Sequence, residues 1–598
     1  MTYRLIACPL LLALACTDPG TGPDPTPTPR APWGVPISGG TMLATRDGAH
    51  LVIADPDRDR VLSVALADDR VVATVALTPG DEPGRLIEDG AGRVHVALRR
   101  GGALLTLDSA SGAHVVARRA ACAEPRGLAW DAQRDVVHVA CAGGELVTFP
   151  AAGGAPTRRL QLDRDLRDVV VQGDRLLVTR FRTAELLTLD ASGAVIDRVT
   201  PPPVERFGVT DAPGALPEIP SFPAVAAVAW RTIGLADGRV LMTHQRQLLG
   251  TLNTTPDGYR GGCGGRAEAA LTVTRPGDVP MAVRSEVIGA LPVDVAVSPR
   301  GDFLAIAVAG SRVIHVLSTP VLDIPDRGEG CPPIPPTTER TAADGFVDDL
   351  GAPTSVAYTP SGALAIFYPE LPGVVIRTDA GERTVILPGD IGYDAGRAVF
   401  HRQTQAMLAC ASCHPEGRED GLVWDFADIG RRRTQSLAGH LLDRAPYHWS
   451  GDLGDLQALM VEVFTGRMSG GELTASELGA LGPWLDHVAA PAPSTGDPAA
   501  IARGKALFDS TEVGCAACHG GALFTSNGRY AVGTGEPGQA FKAPSLLGIA
   551  SRAPYMHDGC AATLLDRFGP CGGGDLHGHT SQLDAAQKGD LVAYLSSL

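Results

Sequence analysis

Phe, Trp and Tyr together make up only 5% of the 598 residues. No Trp-Asp signature recurs along the chain, which sets aside the repeat class built on that dipeptide. Basic residues are in deficit, 51 Lys plus Arg against 67 Asp plus Glu, for a formal charge of −16. That balance argues against nucleic acid as the main partner and tolerates a basic protein partner. Beyond the N-terminus no stretch is long and apolar enough to span a bilayer as a helix. Any membrane contact therefore falls to an anchor at the N-terminus.

The N-terminus reads as an export signal. Arg4 supplies the positive charge, and Leu5 to Ala15 is an apolar core interrupted by Pro9. Ala13-Leu14-Ala15-Cys16 resembles a bacterial lipoprotein cleavage site, although leucine is usual where Ala13 stands. The expectation is a signal peptide over 1–15, then lipidated Cys16 and a Pro/Thr/Gly tether over 16–33. Ordinary secretion is the competing reading. Either puts the chain in the cell envelope, as a periplasmic or outer-membrane lipoprotein or a secreted protein. The compartment is oxidising, so Cys122, Cys141, Cys263, Cys331, Cys560 and Cys571 are candidates for disulfides.

Residues 34–395 carry a repeat. A short apolar strand, a Gly or Asp turn, a second strand, a polar break and a third strand recur. Units start near residues 40, 84, 126, 167, 225, 293 and 353, and the first spacings of about 41–44 residues match the blade period of a β-propeller. The pattern resembles the YVTN/NHL-type propellers of exported bacterial proteins. Later spacings are longer, and the excess falls in two loop-like insertions, 250–285 and 318–350. Each holds one cysteine, so a Cys263–Cys331 bridge is expected. Cys122 and Cys141 flank a hairpin and are expected to bridge neighbouring strands. His95, His138 and His315 read as packed strand residues, while His244 in MTHQRQ is a candidate for lining a central channel.

The remaining third contains Cys-x-x-Cys-His twice, at Cys410–His414 and Cys515–His519. This is the attachment signature of c-type haem. Two thiols bond the porphyrin and the histidine ligates iron. Two copies predict two covalently bound haems at Cys410, Cys413 and His414, and at Cys515, Cys518 and His519. Residues 396–489 and 498–598 read as two copies of one plan, each with a helix before the motif and another at its end, the cytochrome c arrangement. Between them, Ser436-Leu437 matches Ser545-Leu546, and Ala445-Pro446-Tyr447 matches Ala553-Pro554-Tyr555. The next residue is His448 in the first copy and Met556 in the second. Both types ligate haem iron, methionine raising the potential and a second imidazole lowering it. The expectation is a low-potential His414/His448 site and a higher-potential His519/Met556 site. His440, Met407, Met460 and Met468 compete for these roles. Arg433 and Lys542 stand at matched positions, suited to haem propionates. Cys560 and Cys571 bracket AATLLDRFGP, where a disulfide would brace the Met556 loop.

On the two motifs, on RRRTQSL and KAPSLLG, and on PYMHDGCAATL, residues 396–598 resemble the bacterial di-haem cytochrome c peroxidase superfamily, including the methylamine-utilisation enzymes. The resemblance implies a peroxidatic haem in the first half, an electron-transfer haem in the second, and a calcium ion between them in typical members. It aligns Trp449 with a tryptophan thought to bridge the haems. The chain departs from the pattern at His448-Trp449-Ser450-Gly451, where those enzymes carry Phe-Trp-Asp-Gly. Peroxide cleavage needs an open iron and an acid–base group, for which Glu416 and Glu419 are candidates. The sequence thus predicts a multidomain protein, an all-β seven-bladed propeller followed by two all-α cytochrome c-like domains. Three readings stand. One is a di-haem electron carrier that docks a redox donor or acceptor through its propeller. A second is an enzyme reducing hydrogen peroxide at the first haem. A third is a propeller-based binding protein.

Overall fold

The computed structural model describes residues 33–108, 114–207, 221–261, 265–284, 287, 289–328, 346–347, 350–390 and 393–598. The export signal, Cys16, most of the tether, and the Cys263–Cys331 pair lie outside the described residues.

Seven antiparallel sheets follow one another along the chain, six of four strands and one of five. Their first strands begin at residues 42, 83, 125, 166, 204, 292 and 355, so the repeat read from the sequence is a seven-bladed β-propeller. Six blades run in strand order from centre to rim, whereas in blade five the strand that packs in the ring is Ser221–Gly234, the second in sequence. The innermost strands pack in a ring, and blade seven closes on blade one. Closure removes the exposed sheet edges that an open array of this size would present. Inner and middle strands are buried on both faces and read as short Val/Leu/Ile runs, such as VHVAL and FLAIAV. Outer strands alternate, as VVARRA does at 115–120.

Two expectations change. The 250–285 insertion is not all loop, because it carries the last two strands of blade five, Ala267–Thr274 and Met281–Val283. AEAALTVT ends in a β-branched run, which favours a strand. The C-terminal third is helical but not all-α. It holds helices α1 (Ala395–His401), α2 (Cys410–Cys413), α3 (Leu456–Leu459), α4 (Ala475–His487), α5 (Pro498–Asp509) and α6 (Ala585–Ser596). It also holds two antiparallel ribbons, Val423–Phe426 with Gly430–Arg433 and Arg529–Tyr530 with Phe541–Lys542. Gly430, at φ 72°, turns the first of them.

Helices α1 and α4 pack together, as do α5 and α6. Sequence signals set their starts. Thr474 and Glu477 make a capping box for α4, Asp584 and Gln587 one for α6, and Asp497 caps α5 with Pro498 at its first position. At each crossing a glycine meets a backbone carbonyl and the Cβ of an aromatic residue. A side chain on Gly396 would lie 2.6 Å from the Ala480 carbonyl and 2.6 Å from Trp484 Cβ. One on Gly504 would lie 1.9 Å from the Asp590 carbonyl and 2.8 Å from Tyr594 Cβ. Among the described residues no helix is long and apolar enough to cross a membrane.

The Cys122–Cys141 disulfide forms in blade three, and Cys560–Cys571 forms after Met556. His95 is fully buried between Asp89 and Thr106, and His138 bonds Thr148. His244 is also fully buried, bonded to Thr272 and the Gln245 carbonyl within blade five. Both its ring nitrogens are committed there.

Candidate functional site

The first Cys-x-x-Cys-His segment packs against the propeller and is held by residues of several blades. Gln245 and Gln247 of blade five donate to the Ser412 carbonyl at 2.8 and 3.2 Å. Downstream, Glu416 enters a cage of propeller arginines: Arg167 at 2.7 Å, Arg99 at 3.1 Å and Arg126 at 3.2 Å. Arg418 returns a two-pronged contact to Glu124, 3.0 Å on each oxygen. Burial works to raise the pKa of Glu416, but Arg99, Arg167 and Arg126 outweigh it and hold the carboxyl well below its usual range. Glu419 lies in a second buried cluster with Arg433 at 3.4 Å, and Arg182 and Arg552 each at 3.8 Å. Neither glutamate lines the cavity described next. The acid–base role expected for them gives way to anchoring, because a carboxylate committed to buried guanidinium groups is a poor proton donor or acceptor.

Between α2 and the ribbon strand Gly430–Arg433 lies a cavity of about 350 Å³, within the range of cofactor sites. Cys410, Cys413 and His414 line it, and so do His448, Met460 and Met468. The two thiols are unpaired, and burial pushes Cys410 up to about 12. His414 Nδ1 faces the Arg418 carbonyl at 3.1 Å, and its ring also meets the Gln435 backbone, which lines the same cavity. His448 Nδ1 faces Asp452 at 3.2 Å, leaving its Nε2 free of hydrogen bonds among the described residues. His440 and Met407 are not among the lining residues. His440 is exposed, and Met407 Sδ accepts from Gln403. Blade five contributes Leu252, Thr254 and Tyr259 to the wall, its insertion pairing with the ribbon through Leu252 and Asp425.

Whether these residues suit a haem can be tested on their unpaired polar atoms. Arg433, Arg444, Arg467 and Arg552 line the cavity, and the Nε of each is buried without a hydrogen-bond partner among the described residues. Buried donors left unpaired are costly, so an acceptor in the cavity would be favoured there; Arg58, Arg99 and Arg246 in the propeller have unpaired Nε groups as well. A group with an apolar plane and two carboxylates matches that demand. Lys542 reaches this cavity from the second copy and donates to the Arg444 carbonyl. Arg433 and Lys542, at matched positions of the two copies, both converge on the first cavity.

For calcium the fit is poor. Among side-chain His, Cys, Asp and Glu groups of the described residues, one cluster of three forms: His448, Asp452 and Glu462, their ligand atoms within 4.8 Å. An imidazole with two carboxylates lacks the six to eight oxygens calcium takes.

The second motif turns at Gly514, φ 81°, into the 3-10 helix Cys515–Ala517. Cys515 and Cys518 are unpaired, and His519 Nδ1 faces the Phe524 carbonyl at 3.2 Å. His448 and Met556 occupy equivalent backbone positions. Each has positive φ, 64° and 72°, and each follows a tyrosine in a matched bridge, Tyr447 with Leu453 and Tyr555 with Ala561. A left-handed conformation is uncommon outside glycine, so its recurrence at both positions supports the sequence alignment.

Trp449 joins the two copies. It lines the first cavity, donates from Nε1 to the Arg433 carbonyl at 2.8 Å, and meets the ring of His557 edge-on at 6.4 Å. Its own carbonyl accepts from Lys542 at 2.8 Å, and Arg433 donates to the His557 carbonyl at 2.7 Å.

Sequence reading missed the arginine cage and Arg444, Arg467 and Arg552. One signal was present: Arg85, Arg126 and Arg167 recur at a 41-residue interval, at equivalent inner-strand positions of three successive blades.

No protein-family model matches the chain. Hydrazine synthase subunit gamma of Kuenenia stuttgartiensis is 27% identical over 259 residues, covering 32% of this chain and 73% of that protein. Among solved structures, Kuenenia stuttgartiensis hydrazine synthase aligns at 15% identity with a TM-score of 0.43, over 59% of this chain and 98% of the other. A streptogramin B lyase aligns at 11% identity with a TM-score of 0.37, over 56% of this chain and 91% of the other.

Proposed function

We propose that this chain is an exported di-haem c-type cytochrome that moves electrons between two haem sites, the first of them completed by the propeller. The observation that carries the reading is the cavity at Cys410, Cys413 and His414, with unpaired arginine Nε groups around it. When bound, haem supplies one-electron chemistry. Cys410 and Cys413, and Cys515 and Cys518, would attach it, His414 and His519 would ligate its iron, and the buried arginines would compensate its carboxylates. The glycine crossings of α1 with α4 and of α5 with α6 support two cytochrome c-like units. Trp449, in contact with both copies, suits a bridge between them.

Intact-mass measurement and haem staining of protein exported with a functional haem-attachment system test this. The expected result is two covalent haems, with one lost on Cys410→Ala/Cys413→Ala and the other on Cys515→Ala/Cys518→Ala. Protein exported without covalent haem would end the reading.

The propeller's role in this reading differs from simple docking. Arg99, Arg126, Arg167, Gln245 and Gln247 of the propeller engage the chain's own C-terminal region, so an external redox partner would use other residues. A second reading, reduction of peroxide or a similar small oxidant at the first iron, is favoured by His448, whose imidazole is paired with Asp452 and remains partly exposed. The hydrazine synthase subunit relative, part of an enzyme by its name, also favours chemistry at one site. Low-spin ferric signals at both haems, unchanged by peroxide in either redox state, would sink this second reading.

A further inference from the structure

His577 lies in a loop that is unusually well tied down. The Cys560–Cys571 disulfide anchors its start, and His579 N–H donates to the Val513 carbonyl at 2.9 Å. Val513 stands just before the second motif. A side chain on Gly573, φ 83°, would lie 1.9 Å from the Val532 carbonyl, so only glycine lets the loop approach this closely. The result is that His577 and His519 face each other with ring centres 6.4 Å apart and planes inclined by 42°.

Both rings are oriented by the same device. His577 Nδ1 faces the Gly572 carbonyl at 3.1 Å, as His519 Nδ1 faces the Phe524 carbonyl at 3.2 Å. Nδ1–H donation to a backbone carbonyl is the usual support for an imidazole that ligates metal through Nε2. His577 Nε2 makes no hydrogen bond among the described residues, while the His519 ring also meets the Pro544 backbone. An imidazole–metal bond is about 2 Å long and the ring centre lies about 1 Å beyond the nitrogen, so two rings flanking one metal have centres roughly 6 Å apart. The observed separation matches that span. Met556 lacks such orientation, its side chain packing among Leu546, Tyr555 and Ala561 in an apolar cluster.

We infer that His577, rather than Met556, is the partner of His519 across the second iron, making that site bis-histidine. The inference rests on the di-haem reading above. It removes the methionine that would raise the second potential, so the two sites would lie closer in potential than His448 against Met556 implies.

The test uses the full-length holoprotein. Near-infrared magnetic circular dichroism and low-temperature EPR are recorded on the wild type, Met556→Leu and His577→Ala, with a redox titration of each. The expected wild type has no methionine–iron charge-transfer band. Met556→Leu should leave the second haem's spectrum and midpoint unchanged, and His577→Ala should abolish its bis-histidine signal. A methionine band in the wild type, or a second-haem signal that survives His577→Ala, overturns the inference. The wild-type spectrum decides even if a variant fails to fold. Haem stoichiometry separates the two failures: absent haem ends the di-haem reading, whereas two haems with methionine ligation end only this one.

Discussion

Glu416 is the residue on which the propeller and the first Cys-x-x-Cys-His segment meet. Its carboxylate balances Arg99, Arg126 and Arg167, all buried. Removing one member of a buried ionic cluster leaves the others uncompensated and costs about 3–5 kcal/mol. Glu416→Gln should therefore lower the unfolding free energy, read by denaturant titration, by that order, and an unchanged value would show the cage to be energetically idle. Asp420 is a buried carboxyl of the opposite kind. Burial lifts its pKa from 3.8 to about 7, with one oxygen unpaired. The folded state then holds a proton that the unfolded state releases, so this group's contribution is fully favourable below pH 4 and is lost as pH rises through about 7. Asp420→Asn removes the penalty. The expected gain is absent near pH 4 and reaches up to about 4 kcal/mol at pH 8, read as the difference between urea midpoints of the two proteins at each pH. An equal gain at both pH values would contradict the assignment.

Elements are held together by the glycine crossings. Helices α5 and α6 approach closely because Gly504 has no side chain, and a methyl group there would meet the Asp590 carbonyl at 1.9 Å. Gly504→Ala should cost about 1–3 kcal/mol through overpacking, despite alanine's better helix propensity. Gly589, on α6, has nothing within 4 Å of the same added carbon. Gly589→Ala should instead stabilise by up to about 1 kcal/mol. The contrast in sign, measured by thermal unfolding, tests the crossing itself. Two destabilised variants would point to a general intolerance of α6 instead.

Over the whole molecule the boundary of cooperation does not follow the boundary of the repeat. One hydrophobic cluster runs from propeller residues Trp230, Ala290 and Val293 through Ala409, Leu441 and Trp484 of the first C-terminal unit. Residues before blade one join it, because Gly34 bonds both Asp394 and Trp484. The second unit has its own core of Phe508, Leu591 and Tyr594. Calorimetry should resolve two transitions, a large one for the propeller with residues 396–489 and a smaller one of about 70 kcal/mol for the last 100 residues or so. Gly504→Ala should move only the smaller. Three transitions, with 396–489 melting alone, would show that the shared core does not couple.

Local pattern determined much of this protein. The 41-residue period, the short apolar strands and the Gly/Asp turns specify seven blades, because each feature acts within one hairpin. The two Cys-x-x-Cys-His motifs, the capping boxes of α4 and α6, and the match of His448 with Met556 are likewise readable from neighbours in the chain. What only the tertiary structure decided depends on residues from about sixty to more than three hundred positions apart. Glu416 looked like an acid–base candidate until propeller arginines 249 to 317 residues earlier enclosed it. Lys542 belonged by alignment to the second copy and reaches the first cavity. His577, outside every motif, meets His519 because a disulfide and a close-packed glycine turn carry it there. Buried charge and close approach are set by what folding brings together, and no local pattern encodes that.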